Sequence, residues 1–273
     1  MPAPADGVLD LFAVPGPARL LPGSRRQEYV AGDLLLTPVR DARVPEWLSP
    51  TLARLAVTLD ERPDRRRRDL RIAMPVPARD GSWVVQGWAA HRFERGSVAC
   101  HGIPVGVAAG QVLHAQLAVA FPERPPSLAL ADLHQDRAET LAFGPAYPLL
   151  AAALGRSGAG VVRRVEPYLE DRPVGPDQLV HLGLASGLLL DARGAPVVVD
   201  LEPAWRPARW AEALAVVEGV LGGDVGLDVL DRWSTGSHRQ AMLRALVYRA
   251  LSDPSDQPLR YRTLLDVVAP EIH

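Results

Sequence analysis

The apolar positions change period along the chain. Up to about residue 100 they come as short runs bounded by turn residues. "EYVAGDLLLTPV" places two runs around Ala31-Gly32-Asp33, and "RIAMPVPARDGSWVVQGWAAHRF" places two more around Asp80-Gly81, so both predict β-hairpins. One stretch in this region has helical spacing, at Trp47, Leu52, Leu55 and Leu59, with Pro50 placed to start the helix afresh behind a Ser49 cap. From about residue 108 the spacing becomes helical. "GQVLHAQLAVAF" and "AETLAFGPAYPLLAAAL" flank the proline-rich "PERPPS", while "PARWAEALAVVEGVL" and "SHRQAMLRALVYRAL" are amphipathic at i, i+3, i+4. Between these pairs, residues 188–200 return to two apolar strands joined by a tight turn, and the tail predicts a final short helix. The pattern predicts an α+β fold. A small β-rich N-lobe covers 1–93, a helical C-lobe covers 94–273 and carries the hairpin segment 181–202, and a cleft lies between them.

Composition narrows the function classes. The net charge of −2 over 273 residues gives no global attraction to nucleic acid or to an anionic membrane. Apolar runs such as "LLAAAL" are far shorter than the ~20 residues that cross a bilayer. Cys100 is the single cysteine, which excludes an intrachain disulfide, and "MPAPADGVLDLF" lacks the features of a secretory signal; a cytoplasmic location is expected. The chain has no lysine and no asparagine, so chemistry needing either side chain is closed to it. "DRRRRD" at 64–69 carries acids at both ends and reads as a solvated surface link, with a docking patch for an acidic partner as the alternative.

The segment "LVHLGLASGLLLDARGAPVVVDLEPAWRP" has a histidine, a short loop, a hairpin and an acidic pair, which is the layout of a phosphotransferase catalytic hairpin. Such a site needs few parts: a small-lobe lysine held by a helix glutamate, a catalytic-loop aspartate, and an asparagine and a second aspartate on magnesium. His181-Leu182-Gly183, then Leu188, then Val199-Asp200-Leu201, then Ala204-Trp205-Arg206-Pro207 follow this order, with "GSWVVQGWAAHRF", "VLHAQLA" and "MLRALVYRAL" as further matches. Over nearly its whole length the chain resembles the aminoglycoside phosphotransferase/choline kinase branch of the kinase-like superfamily, and within it an actinobacterial group. The resemblance implies a protein-kinase-like two-lobed fold.

The departures fall where the chemistry belongs. Gly183 stands at the catalytic aspartate position, Leu188 at the magnesium asparagine, and Thr37 at the small-lobe lysine. The nucleotide-loop segment "LLPGSRRQEYV" has one glycine, Gly23, with Arg25 and Arg26. What the resemblance leaves is Asp200 and Glu202 as metal-binding candidates, His181 as a brace, and Gly87, Trp88 and Ala89 near the expected interlobe hinge as a nucleotide pocket. Each also has a plain structural reading: Asp200 as a turn cap, Glu202 as a partner of Arg206 or Arg209, Trp88 as core. Glu46 is the candidate helix glutamate, with Arg40 as the residue that could replace the lysine, although a guanidinium is not equivalent to an amine. Single electrostatic or acid–base groups are worth roughly 10²- to 10⁴-fold in rate, so losing several leaves little turnover. The expectation is a pseudokinase or accessory protein that binds a small molecule, peptide or protein segment between its lobes, by analogy beside lyases in peptide natural-product pathways. The alternative is an active phosphotransferase, using ATP and Mg, with a rearranged site on Asp200 and Glu202 and Asp191 serving the acceptor.

Overall fold

A tight turn opens the first sheet. Gly32 adopts φ +60°, and Ala31 pairs with Leu34 across the loop Gly32-Asp33, as the hairpin signal predicts. The computed structural model describes residues 3–24, 27–129, 134–144, 158–253 and 258–270. Contacts divide the chain into two units: Met1–Ala120 with Gly183–Glu202, and Phe121–Leu182 with Pro203–His273. This division differs from a boundary at 93, because the hairpin segment pairs with strands of the first third of the chain.

The first unit begins with helix α1 (Asp6–Leu11), an element the periodicity did not reveal. Strands β1 (Arg19–Leu20), β2 (Tyr29–Ala31), β3 (Leu34–Pro38), β5 (Pro75–Val76) and β6 (Trp88–Arg92) form an antiparallel sheet of order β1-β2-β3-β6-β5. Its faces bury different residues. Leu34, Leu36, Trp88 and Ala90 join α1 residues Val8 and Leu9 in one core, while Leu35 joins Leu21, Ala73, Leu189 and Val199 in another. Strands β4 (Arg71–Ile72), β7 (Val98–Ala99), β9 (Leu188–Leu190) and β10 (Pro196–Val198) form the second sheet, with β4 parallel to β10 and the other neighbours antiparallel.

Helix α2 (Arg43–Asp60) runs unbroken through Pro50, with Ala42 rather than Ser49 at its N-cap. The missing N–H costs one backbone bond. Burial of Leu48, Leu52, Ala56 and Leu59 along one face offsets that loss, so the helix does not restart. Helix α3 (Ile103–Ala120) is 18 residues long with mean hydropathy 1.4, enough by length and composition to cross a membrane. Its apolar residues do not form one unbroken run, because glycine, glutamine and histidine interrupt them. Its apolar character has a local use: Leu113 and Leu117 are fully buried, and Gly106 and Gly110 press on Leu184.

The second unit pairs β8 (Asp177–His181) with β11 (Pro203–Pro207) antiparallel, His181 opposite Pro203. Around this ribbon lie α4 (His134–Ala142), α5 (Ala159–Val165), α6 (Ala208–Gly222), α7 (Gly236–Ser252) and α8 (Arg262–Val268). The amphipathic spacing predicts one buried face for α6 and α7, but both are buried all round over 210–217 and 240–248, Glu212, Gln240 and Arg244 included, because neighbouring elements pack on several sides. Trp210 is wholly buried and meets Phe143 and Tyr248 edge-on, with centroids at 5.1 and 5.2 Å. The predicted continuation of α4 through 145–157 lies outside the described residues.

Candidate functional site

The loop 183–187 is built by main-chain bonds and shaped by glycines. The Gly183 carbonyl accepts the N–H groups of Ser186 at 3.1 Å and Gly187 at 2.6 Å. Leu184 then seats against α3, where a Cβ on Gly106 would lie 2.5 Å from the Leu184 carbonyl oxygen and a Cβ on Gly110 2.6 Å from Leu184 Cδ1. The loop that carries the central aspartate in phosphotransferases is thus clamped here as a hydrophobic turn. His181, which precedes it on β8, is fully buried.

Leu188 opens β9 at 1% exposure, and its carbonyl accepts the Cys100 N–H at 2.9 Å. A side chain so placed is core, not a ligand for a hard cation, which needs oxygen donors. Thr37 lies on β3 at 1% exposure, two residues from Leu35 and on the same face. Its buried hydroxyl has no hydrogen-bond partner among the described residues.

On that face stands the group the sequence reading did not single out. His91 of β6 pairs in register with Leu35, next to the Thr37–Ala89 pair, and is 6% exposed. Its Nδ1 is buried with no hydrogen-bond partner among the described residues. Burial pushes the imidazole below its ordinary range, and the Asp200 carboxylate pulls it partly back. Asp200, half-buried, follows Val199, whose N–H bonds the Gly187 carbonyl at 3.2 Å. The fold therefore sets Thr37 and His91 on one face of the sheet, with His91 within electrostatic reach of Asp200. The only sequence signal was that His91 lies in "WAAHRF", within a stretch that matches the kinase-like pattern; nothing local ties it to residue 200.

The other candidates are spread around this face. Glu202 pairs with the exposed Arg40 at 3.6 Å. Arg206 instead forms an ion pair with Glu139 at 2.8 Å and stacks over Phe143, and Arg209 donates to Ser237 at 2.6 Å, so neither is needed to explain Glu202. Glu46 sits in the first turn of α2. Gly87 belongs to a two-residue turn, Gln86 at φ +49° and Gly87 at φ +82°, closed by mutual bonds between Val85 and Trp88. Trp88 and Ala89 then open β6. Trp88 is 3% exposed in the core on the opposite face from Thr37, edge-on to Tyr29 at 5.6 Å. The chain passes between units at 120–121, 182–183 and 202–203, and 87–89 lies within the first unit. Asp191 is spent on a turn: its carboxylate accepts the N–H groups of Arg193 and Ala195, both at 2.8 Å, nine positions before Asp200. Gly23 adopts φ +77°, while Arg25 and Arg26 lie outside the described residues.

Similarity to solved structures agrees with this order of elements. Choline kinase LicA from Streptococcus pneumoniae is similar over 97% of each chain, with 13% identity and a TM-score of 0.50. The fold is kinase-like. Two more similar structures are a choline/ethanolamine kinase family protein from Mesorhizobium loti (18% identity, 95% of this chain and 81% of that one, TM-score 0.41) and LicA in complex with AMP (13% identity, 92% and 91%, TM-score 0.44). No protein-family model matches the chain, and no curated protein matches it.

On that fold the donor set does not fit a magnesium–nucleotide centre. Among the described residues no three His, Cys, Asp or Glu side chains gather to hold an ion. Asp200 lies beside an imidazole, Glu202 beside a guanidinium, and Leu188 is buried.

Proposed function

We propose that this kinase-fold chain binds its ligand without transferring a phosphoryl group. One observation carries the reading: the substituted positions are packed as core, with Thr37 and Leu188 each 1% exposed. A site that had moved its catalytic groups would keep polar side chains where the phosphates and metal lie. Instead, a threonine hydroxyl, a leucine and a glycine turn occupy those places, and the chain contains no lysine to replace the missing amine. The ligand is a small molecule, peptide or protein segment, and a place beside a lyase in peptide natural-product assembly is the role the family analogy suggests. Choline, named in the similar structures, is the first acceptor to offer.

The test is ADP release by purified protein with ATP and magnesium, across choline, aminoglycosides and seryl peptides. The expected rate equals that of Asp200→Ala. Turnover well above background that Asp200→Ala abolishes would overturn the proposal. A second reading, an active transferase with a rearranged site, has the Asp200–His91 pair in its favour. It requires His91→Gln to abolish turnover too.

A further inference from the structure

A second feature of the first unit, away from Thr37 and Asp200, concentrates positive charge in a pocket. Arg65, Arg66, Arg67, Arg71 and Arg193 line a cavity of about 410 Å³, against two carboxylates, Glu94 and Asp191. Its volume is that of a small-molecule site.

The walls are built by the carboxylates. Asp69 accepts the Arg66 N–H at 2.8 Å and fixes the arginine loop. Asp60 pairs with Arg65 at 3.2 Å and with Arg71 at 3.3 Å, and Arg71 also meets Glu94. On the other side Asp191 holds the β9–β10 turn, and with it Arg193, through its two N–H bonds. Asp60, Asp69, Glu94 and Asp191 are thereby engaged. Arg66 and Arg67, both exposed, have no ion pair among the described residues, and Arg193, also exposed, is drawn to Asp191 without a close bridge to it; all three line one concavity. Like charges gathered this way repel, and an anion between them relieves the repulsion. Guanidinium forks match the paired oxygens of a phosphate, and three of them exceed what a single phosphate group needs.

We propose that this pocket binds the diphosphate group of a small molecule, with Arg66, Arg67 and Arg193 as its ligands and Arg65 and Arg71 as the fixed wall. The site is independent of the kinase-like face.

The test is calorimetric titration of the full chain with inorganic pyrophosphate at fixed ionic strength of about 0.15 M, where unspecific attraction is screened. One-to-one binding is expected. Arg66→Gln/Arg67→Gln and, separately, Arg193→Gln should each weaken it at least about tenfold. Arg68→Gln, outside the pocket, should leave it within about twofold. Thermal melts of the variants confirm that they remain folded. The proposal falls if the folded chain takes up no pyrophosphate, or if sulfate and citrate bind equally well. It falls equally if the arginine variants bind unchanged, if Asp200→Ala rather than they removes binding, or if only a long polyanion such as an oligonucleotide binds.

Discussion

Replacing Gly106 by alanine tests the clamp on the 183–187 loop. In an open helix position this change stabilises by about 1 kcal/mol, because glycine loses more chain entropy on folding. At Gly106 the new Cβ would sit 2.5 Å from the Leu184 carbonyl oxygen and 3.4 Å from its carbon. Overpacking costs about 1–3 kcal/mol, and a clash with main chain belongs at the upper end because no rotamer relieves it. The net loss is about 2 kcal/mol, which at this chain size lowers Tm by about 4–8 °C. Gly110→Ala meets only the side-chain tip of Leu184, at 2.6 and 3.0 Å, and should lose about half as much. Gly7→Ala, with nothing within 4 Å, is the control and should melt at or above wild type. The assay is thermal unfolding of the three variants, each repeated in a Leu184→Ala background. Shortening Leu184 should cancel the penalty of Gly110→Ala but not that of Gly106→Ala, since the carbonyl stays. If Gly106→Ala melts with Gly7→Ala, or if Leu184→Ala rescues both equally, the backbone contact is not what fixes the loop.

Other outcomes follow from single groups. Thr37→Val removes a buried hydroxyl that has no partner, so it should leave stability unchanged or raise it by up to about 1 kcal/mol in urea unfolding; a clear loss would mean the hydroxyl is bonded. Asp191→Ala frees two N–H groups in the β9–β10 turn and should cost about 2 kcal/mol, read by the same method. His91 is held below its ordinary value of 6.5 by burial. The unfolded chain therefore takes up a proton that the folded chain refuses, and stability should fall as pH drops below about 6.5. His91→Gln should flatten that slope, and Asp200→Asn, which withdraws the charge favouring imidazolium, should steepen it.

Some of this arrangement was legible because it is written locally. Gly32 and Gly81, at φ +60° and +86°, sit in the turns their neighbours announced, and α6 and α7 form where helices were expected, though they are buried all round rather than on one face. The turn at Gln86-Gly87 was passed over, because glutamine at φ +49° is an unusual occupant of such a position. Helix α2 was expected to restart at Pro50, since its packing partners β4 and β5 come later in the chain and cannot be seen from the helix. The same limit hid the site. The charge of Asp200 reaches His91 because β6 pairs with β3, and β3 residue Leu35 packs on Val199 from the late hairpin. Likewise Arg71 and Asp191 approach to 3.8 Å through the parallel β4–β10 pair, which no local signal encodes.

That late hairpin sets an order of events for a growing chain. Two of the four strands in the sheet β4-β10-β9-β7 are not synthesised until residue 198, although β4 is finished at 72. A ribosome that has released residues 1–120 has made most of the first unit but not its closure, leaving the exposed edges of β4 and β7 waiting. A fragment cut at 120 should therefore stay aggregation-prone, and adding a peptide of residues 183–202 in trans should restore it.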